Sequence, residues 1–526
     1  MKSRINLNVF ALLLVWMFSA CADDFDSMNI DPSKGTTVSA DRLFPFVLGK
    51  ICGDRFENAR TNLITCALYT QQLASKTEEW SGDRYMKNEG HITAFWNTAY
   101  EHQVKNIEEL RHTLKNTEKD AGGVIQNQIA ITKIIRSFIY LRLTDLHGAV
   151  PYSEAGLGHI SGNITPKYDT QEEIYTSIFS ELKTAVGELN EKAASFGTGD
   201  LVYGNGKSEE VISNWKKFAN SLRLRMAMRL TKVNPTLAKQ EADAAIAAGV
   251  MDNVDATAFI NHYNGGDNYG LTNNGVSQVF IEYGYNGHHF RVSEKMAEII
   301  KKNKDPRTKY LFGIYWKNNK DDEDLQKNED LTYEDINGFP NGLSSSELGE
   351  LSKKHDFHRY YAQPNKTYMV DRDAPTILQS YAEVCFLKAE YELRWGTKAK
   401  AQTEFEKGLN AAIDMLKLYG APVGELTKAI RDEFVANVGE VTHENIGEQM
   451  WMALFLDGYE SFSNWRRTGF PTLKPTNFSG NATNGQIPRR LIYPSNESSM
   501  NGANYQQAIK HQGDDELTTR VWWDAK

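Results

Sequence analysis

Residues 136–154 read RSFIYLRLTDLHGAVPYSE. They join the end of a helix to a Gly-x-x-Pro-Tyr turn. Traced backwards, the helical pattern begins near Val124. Traced forwards, it ends at His147, because Gly148 suits the residue just past a helix end and Pro151 lies where a helix cannot continue. Upstream, residues 91–116 place Trp96, Tyr100, Val104, Ile107, Leu110 and Leu114 at spacings of three and four, which predicts one apolar stripe on one helix face. Downstream, Thr170 and Glu173 have capping-box spacing and open a helix through Ile174, Ile178, Leu182 and Leu189. A further helix carries Trp215, Phe218, Leu222, Met226 and Leu230 and stops at Asn234-Pro235. An Ala-rich one follows over about 236–248, with Gly249 past its end.

Two more helices are expected near 375–395 and 398–419, split by Gly396. The second has Ala401 and Phe405 in the A-x-x-x-F arrangement of tetratricopeptide pairs, and its partner carries Tyr381, Phe386 and Ala389. One such pair cannot bury its own apolar face, so pairs must stack. The expected fold is therefore mainly α: a tetratricopeptide-like helical-repeat scaffold over about 39–250 and 375–470. Residues 251–374 interrupt it, losing helical period and gaining Gly, Asn and aromatics, among them Phe259, Tyr263, Tyr269, Phe280, Tyr283, Tyr285, Phe290, Tyr310 and Trp316. Loops and short strands are the expected content of this insertion, and a loop-rich insertion on a rigid frame is where binding groups usually sit. An irregular segment of about 471–526 completes a single domain, 39–526.

The 526 residues carry 59 basic and 68 acidic side chains, a net charge of −9, with 40% hydrophobic residues. That composition excludes disordered and disulfide-rich classes, and the absence of a basic stripe interleaved with aromatics argues against a nucleic-acid partner. At the start, Lys2 and Arg4 precede an apolar run, Val9 to Phe18, and Ser19-Ala20 lead directly into Cys21. This reads as a signal peptide, 1–20, whose run of ten is too short to span a bilayer. A cysteine so placed resembles the bacterial lipobox, with Phe18 where Leu is usual, so Cys21 is the expected lipidated first residue of the mature chain. Residues 21–38, with Asp23, Asp24 and Asp26, read as a flexible acidic tether. Cys52, Cys66 and Cys385 remain, an odd number with no metal or redox spacing, and are expected as small buried hydrophobes.

Most motifs with chemical content fail on spacing. Gly204-Asn205-Gly206-Lys207-Ser208 lacks the earlier glycine of a P-loop, since that position is Leu201, and no G-x-S-x-G elbow occurs. His288-His289 and the pair His355/His358 belong to no metal motif and read as ordinary loop histidines. Asp321 to Asp324 reads as a solvated acidic loop; calcium is the lesser alternative because the EF-hand glycine is missing, and no cofactor is expected. There is no positive signal for catalysis.

Three blocks carry a resemblance. Residues 136–154 are joined by 214–229, NWKKFANSLRLRMAMR, and by 445–471, NIGEQMWMALFLDGYESFSNWRRTGFP, followed by Ile487-Pro488-Arg489-Arg490-Leu491 and Tyr493-Pro494. In this order, behind a lipobox, they closely resemble the SusD/RagB-like nutrient-binding outer-membrane lipoproteins. The resemblance implies the SusD-like fold and a surface-exposed, lipid-anchored, non-catalytic protein of the outer membrane. It implies binding of a nutrient, foremost an oligosaccharide, and delivery to a SusC-like TonB-dependent β-barrel transporter. A peptide-capturing member of the same family and a surface-anchored glycoside hydrolase are the alternatives. The block residues themselves read as structural: Trp215, Trp451 and Trp465 as core, and Arg223, Arg225, Arg229, Arg466 and Arg467 as partners of buried carboxylates or carbonyls.

The resemblance transfers no binding residue, so the ligand site is argued from chemistry. Sugar rings present apolar C–H faces to aromatic rings, while their hydroxyls need polar groups at the edges. Segments mixing both outside helical stripes supply the ligand-binding candidates Trp80, Arg84, Tyr85, Tyr269, Asn273, Tyr283, Tyr285 and Trp316.

Overall fold

The computed structural model describes residues 39–117, 122–265, 272–282, 289–317 and 325–525. The signal peptide, Cys21, the 21–38 tether, Tyr269, Tyr283, Tyr285, His288 and the 321–324 acidic run lie outside them. The frame is a serial stack of helices. Lys105–Lys115 packs on Val124–His147, which packs on Gln171–Glu188; Ser208–Arg229 and Pro235–Ala248 follow, each against its predecessor. Ser208–Arg229 also meets Tyr381–Trp395, which pairs with Lys398–Asp414 and His443–Ala453. Gly458–Thr468 returns to the Val124–His147 helix and closes the core.

The local signals act as their chemistry requires. Thr170 and Glu173 form the reciprocal capping box. Gly148 takes φ 86°, a left-handed value open to glycine, directly after His147. Asn234 caps the helix that opens at Pro235 by accepting from the Leu237 N–H.

Three segments differ from expectation. Residues 91–116 are not one helix: Glu89–Ile92 and Ala94–Thr98 are separated at Thr93, and a wide turn at Ala99–Val104 leads into Lys105–Lys115. The break is stabilised from outside the segment. The Thr61 hydroxyl donates to the His91 carbonyl (2.9 Å) and accepts from the Phe95 N–H (3.0 Å), serving both groups that the interruption releases. Near 375, Thr376–Gln379 is a strand paired antiparallel with Ala258–Ile260, and the helix begins only at Tyr381, capped by Ser380. Within the insertion, Gly275–Glu282, Glu294–Asn303 and Ser345–Lys354 are helical. Glu294–Asn303 is capped by Ser293 and buries Met296, Ile299 and Ile300, a stripe too short to stand out among the surrounding aromatics.

Trp215, Trp451 and Trp465 are buried, and their indole N–H groups donate to Asp200 (2.7 Å), the Thr70 carbonyl (3.0 Å) and the Pro471 carbonyl (3.2 Å). The arginines of the same blocks form an internal network. Arg225 grips both Glu383 oxygens at 2.6 Å, Arg229 bridges Asp145 (3.2 Å) and Glu460 (2.5 Å), and Arg467 reaches Glu390 (2.7 Å). Arg223 pairs with Glu241 (2.5 Å), and Arg466 donates to the backbone carbonyls of Asp145 and Arg489. These fixed planar donors tie helices distant in sequence. Cys52, Cys66 and Cys385 are free and buried, and burial pushes the Cys52 thiol up to about 12 and that of Cys385 to about 11.

Glu57 gives the interior a pH dependence. It is 3% exposed, accepts from the Thr98 (2.6 Å) and Tyr459 (3.2 Å) hydroxyls, and burial raises its pKa to about 7. With the folded value above the unfolded one, the native state holds the extra proton between about pH 4.5 and 7. Its contribution is therefore complete below pH 4.5 and is lost as pH rises through 7. Glu57→Gln keeps the shape and removes the titration. Relative to the parent, this variant should gain about 1–3 kcal/mol between pH 4.5 and 8 in urea-unfolding titrations. A pH-independent difference between the two proteins would contradict the assignment.

Candidate ligand-binding face

Leu73–Ser75 pairs antiparallel with Phe290–Val292, setting Leu73 opposite Val292, Ala74 opposite Arg291 and Ser75 opposite Phe290. The chain then turns back through Trp80 to Tyr85. Gly82 is required there, because a Cβ at that position would lie 1.7 Å from the Ile64 carbonyl oxygen. Arg84 is fully buried, with Nη1 on Asp83 (2.9 Å), Nε on the Leu343 carbonyl (2.8 Å) and Nη2 on the Ser75 carbonyl (3.3 Å). Tyr85 is also fully buried, has φ 54°, and its hydroxyl accepts from the Thr476 N–H (3.3 Å). Asn273 is 1% exposed and accepts from the Gly265 N–H (3.2 Å). In this conformation these three offer no surface to a ligand; they hold the 80–85 loop and the turn entering Gly275–Glu282.

Trp80 and Trp316 stand at the two ends of a run of contacts through Arg291. Trp80 is 7% exposed and packs its ring 4.5 Å from His289 and 4.6 Å from Phe290. Trp316 ends the strand Phe312–Trp316, is half-buried, and has the Arg359 guanidinium 5.4 Å from its ring centre. Arg291 links the two ends. It donates to the Phe290 (2.7 Å) and Phe357 (3.2 Å) carbonyls and meets the His358 ring nitrogen at 3.2 Å. The short helix Phe357–Tyr360 packs on the Trp316 strand, which is flanked by Gln326–Asn328 and Gln363–Pro364. Tyr269, Tyr283 and Tyr285 lie outside the described residues.

Sequence reasoning missed Tyr360. It is 37% exposed and stacks on His355 with ring centres 3.9 Å apart and planes 14° from parallel. The signal was the run His358-Arg359-Tyr360-Tyr361, two aromatics beside two basic residues in a stretch without helical stripe. The His358 ring meets Arg291, and the His289 ring packs against Trp80. Burial first, then Arg291 and Lys76, lower both His289 and His358 to about 4, so both rings are neutral at pH 7. The same forces bring Lys76 down to about 8.

Flat aromatic faces edged by a guanidinium and neutral imidazoles match a polyhydroxylated ring, whose C–H face stacks and whose hydroxyls hydrogen-bond in the ring plane. Among the described residues no group of three His, Cys, Asp or Glu could hold a metal ion, and no helix is long and apolar enough to cross a membrane.

A family model described as SusD-like, starch-binding and associating with the outer membrane, matches residues 37–494. Among solved structures, a chitin-binding protein is 31% identical, with a TM-score of 0.77 over 93% of this chain and 100% of that one. A SusD-like protein titled Bacteroidetes AC2a is 27% identical, with a TM-score of 0.78 over 93% and 100%. A chitin-binding SusD homologue from Flavobacterium johnsoniae is 25% identical, with a TM-score of 0.72 over 92% and 98%. No curated protein matches. With its stacked helices, its block residues and a family match spanning nearly all of its length, the chain belongs to the SusD-like family.

Proposed function

We propose that this protein binds an oligosaccharide at the cell surface, without cleaving it, and passes it to a SusC-like β-barrel transporter. The observation that carries the reading is the pair of accessible aromatic groups on adjacent elements, Trp316 under Arg359 and Tyr360 stacked on His355. Trp80, 7% exposed, packs against His289 and Phe290 next to Arg291. The family description and the chitin-binding relatives support a glycan as the ligand class. Delivery to a barrel rests on the family resemblance.

Each stacked ring is worth about 0.5–1.5 kcal/mol beyond burial, so losing one should weaken binding about threefold to tenfold. Calorimetry of Trp316→Ala and Tyr360→Ala against chito- and malto-oligosaccharides tests this, with circular dichroism to confirm folding. Unchanged affinity in both variants, for an oligosaccharide that the parent binds, would move the site elsewhere.

A further inference from the structure

A second polar cleft lies away from the aromatic face, where the Thr376–Gln379 strand, the Met415–Tyr419 turn and the chain around Asp457 converge on the Val124–His147 helix. It encloses about 90 Å³ and continues through Arg142, Asp457 and Tyr459 into a smaller chamber. Arg142 is half-buried, and its guanidinium lies 4.6 Å from the Tyr459 ring centre and 4.9 Å from that of Phe138. Arg225 and Arg229 behind it are bonded to carboxylates. Arg142, among the described residues, makes one hydrogen bond, Nη1 to the Ile51 carbonyl at 3.3 Å, and no ion pair. Arg142 lines both the cleft and the smaller chamber.

Two acceptors share that space. Gln379 is 1% exposed; its Nε2 donates to the Ser221 carbonyl (3.1 Å) and to Glu383 (3.0 Å), which leaves Oε1 buried without a partner. Asp457 is half-buried and accepts the Glu460 N–H at 3.3 Å as a helix cap. A buried unmet acceptor is costly, so a built cleft that keeps the Gln379 Oε1 beside the Arg142 donors is fitted to something that supplies a partner for it. Two further charged residues on the lining are already paired, Arg307 with Asp305 and Glu383 with Arg225, so the charges left to a ligand are one cation, Arg142, and one carboxylate, Asp457, beside the neutral Gln379 acceptor. That balance suits a neutral polyol, in which one hydroxyl oxygen accepts from Arg142 while the neighbouring O–H donates to Asp457 or Gln379. The space, about 90 Å³, accepts one edge of a single ring. Tyr419, half-buried on the lining, adds an aromatic wall.

We propose that this cleft binds a single sugar residue edge-on, as a free monosaccharide or as the end of a glycan, independently of the aromatic face. The ligand class rests on the glycan-binding reading above. The test is hydrogen exchange on the full mature chain with millimolar N-acetylglucosamine, glucose or galactose. At least one sugar should protect the backbone around 375–380 and 452–459. Arg142→Gln should weaken that protection about tenfold or more in sugar concentration, since it removes a charged donor. Ile377→Trp, which fills the lining from a half-buried position, should abolish it. Trp316→Ala should leave it intact. If Arg142→Gln does not fold, Ile377→Trp decides alone. Absence of protection by all three sugars, or protection that survives Ile377→Trp, overturns the proposal. Such a result leaves calorimetric binding of an oligosaccharide at Trp316 untouched. Conversely, loss of oligosaccharide binding with the cleft still protected overturns the aromatic-face reading alone.

Discussion

Cys21→Ala, expressed in a host without the transporter, should move the protein from the membrane fraction to the soluble one or leave its precursor unprocessed. The effect is expected to be large because Cys21 is the expected anchor. The apolar run Val9 to Phe18 is about half the length a spanning helix needs, and no helix among the described residues is long and apolar enough to cross a bilayer. Several acyl chains on Cys21 would exceed the two-signal threshold for stable anchoring. In the native host, gentle detergent extraction of the parent protein should bring down a large β-barrel partner. A normally processed Cys21→Ala that stays in the membranes contradicts the anchor. Recovery of the parent protein alone, from membranes shown to contain the transporter, contradicts the partnership.

Glu383→Ala should be the most damaging single change to the scaffold, at about 3–5 kcal/mol. Both Glu383 oxygens are held by Arg225 at 2.6 Å, with both side chains nearly inaccessible, and Gln379 donates to the same carboxylate. Alanine leaves an always-charged guanidinium in a dry interior, next to Leu378 and Glu460. The comparison is Lys428→Ala, which removes an exposed i,i+4 pair with Asp432 and should be close to neutral. Urea midpoints measured side by side decide the matter. A Glu383→Ala loss no larger than that of Lys428→Ala would mean that the network does not hold the helices.

The helical frame was legible because its signals are local. A capping box at Thr170, a glycine past His147 and the helix boundary at Asn234-Pro235 act within a few residues of where they are read. The break at Thr93 was not legible, since the hydroxyl that stabilises it belongs to Thr61, thirty-four residues before Phe95. The Thr376–Gln379 strand depends in the same way on a partner at Ala258–Ile260. For the site, residue type marks ring-and-donor chemistry but not exposure. Trp80, Arg84 and Tyr85 look alike in sequence as ring-and-donor chemistry. Burial takes up all three: Arg84 is consumed by Asp83 and two carbonyls, Tyr85 is fully buried, and Trp80 is 7% exposed. Tyr360 escaped notice because its platform partner, His355, reads in sequence as an ordinary loop histidine.

The most direct measurement is calorimetry of the full mature chain against a panel of neutral and charged oligosaccharides that includes chito- and malto-oligosaccharides, with the sugar recovered afterwards and analysed for chain length. The expected result is saturable binding of at least one oligosaccharide, recovered uncleaved, with affinity lowered about threefold to tenfold by Trp316→Ala or Tyr360→Ala. Failure to bind any member of the panel, or recovery of shortened chains, would contradict the account.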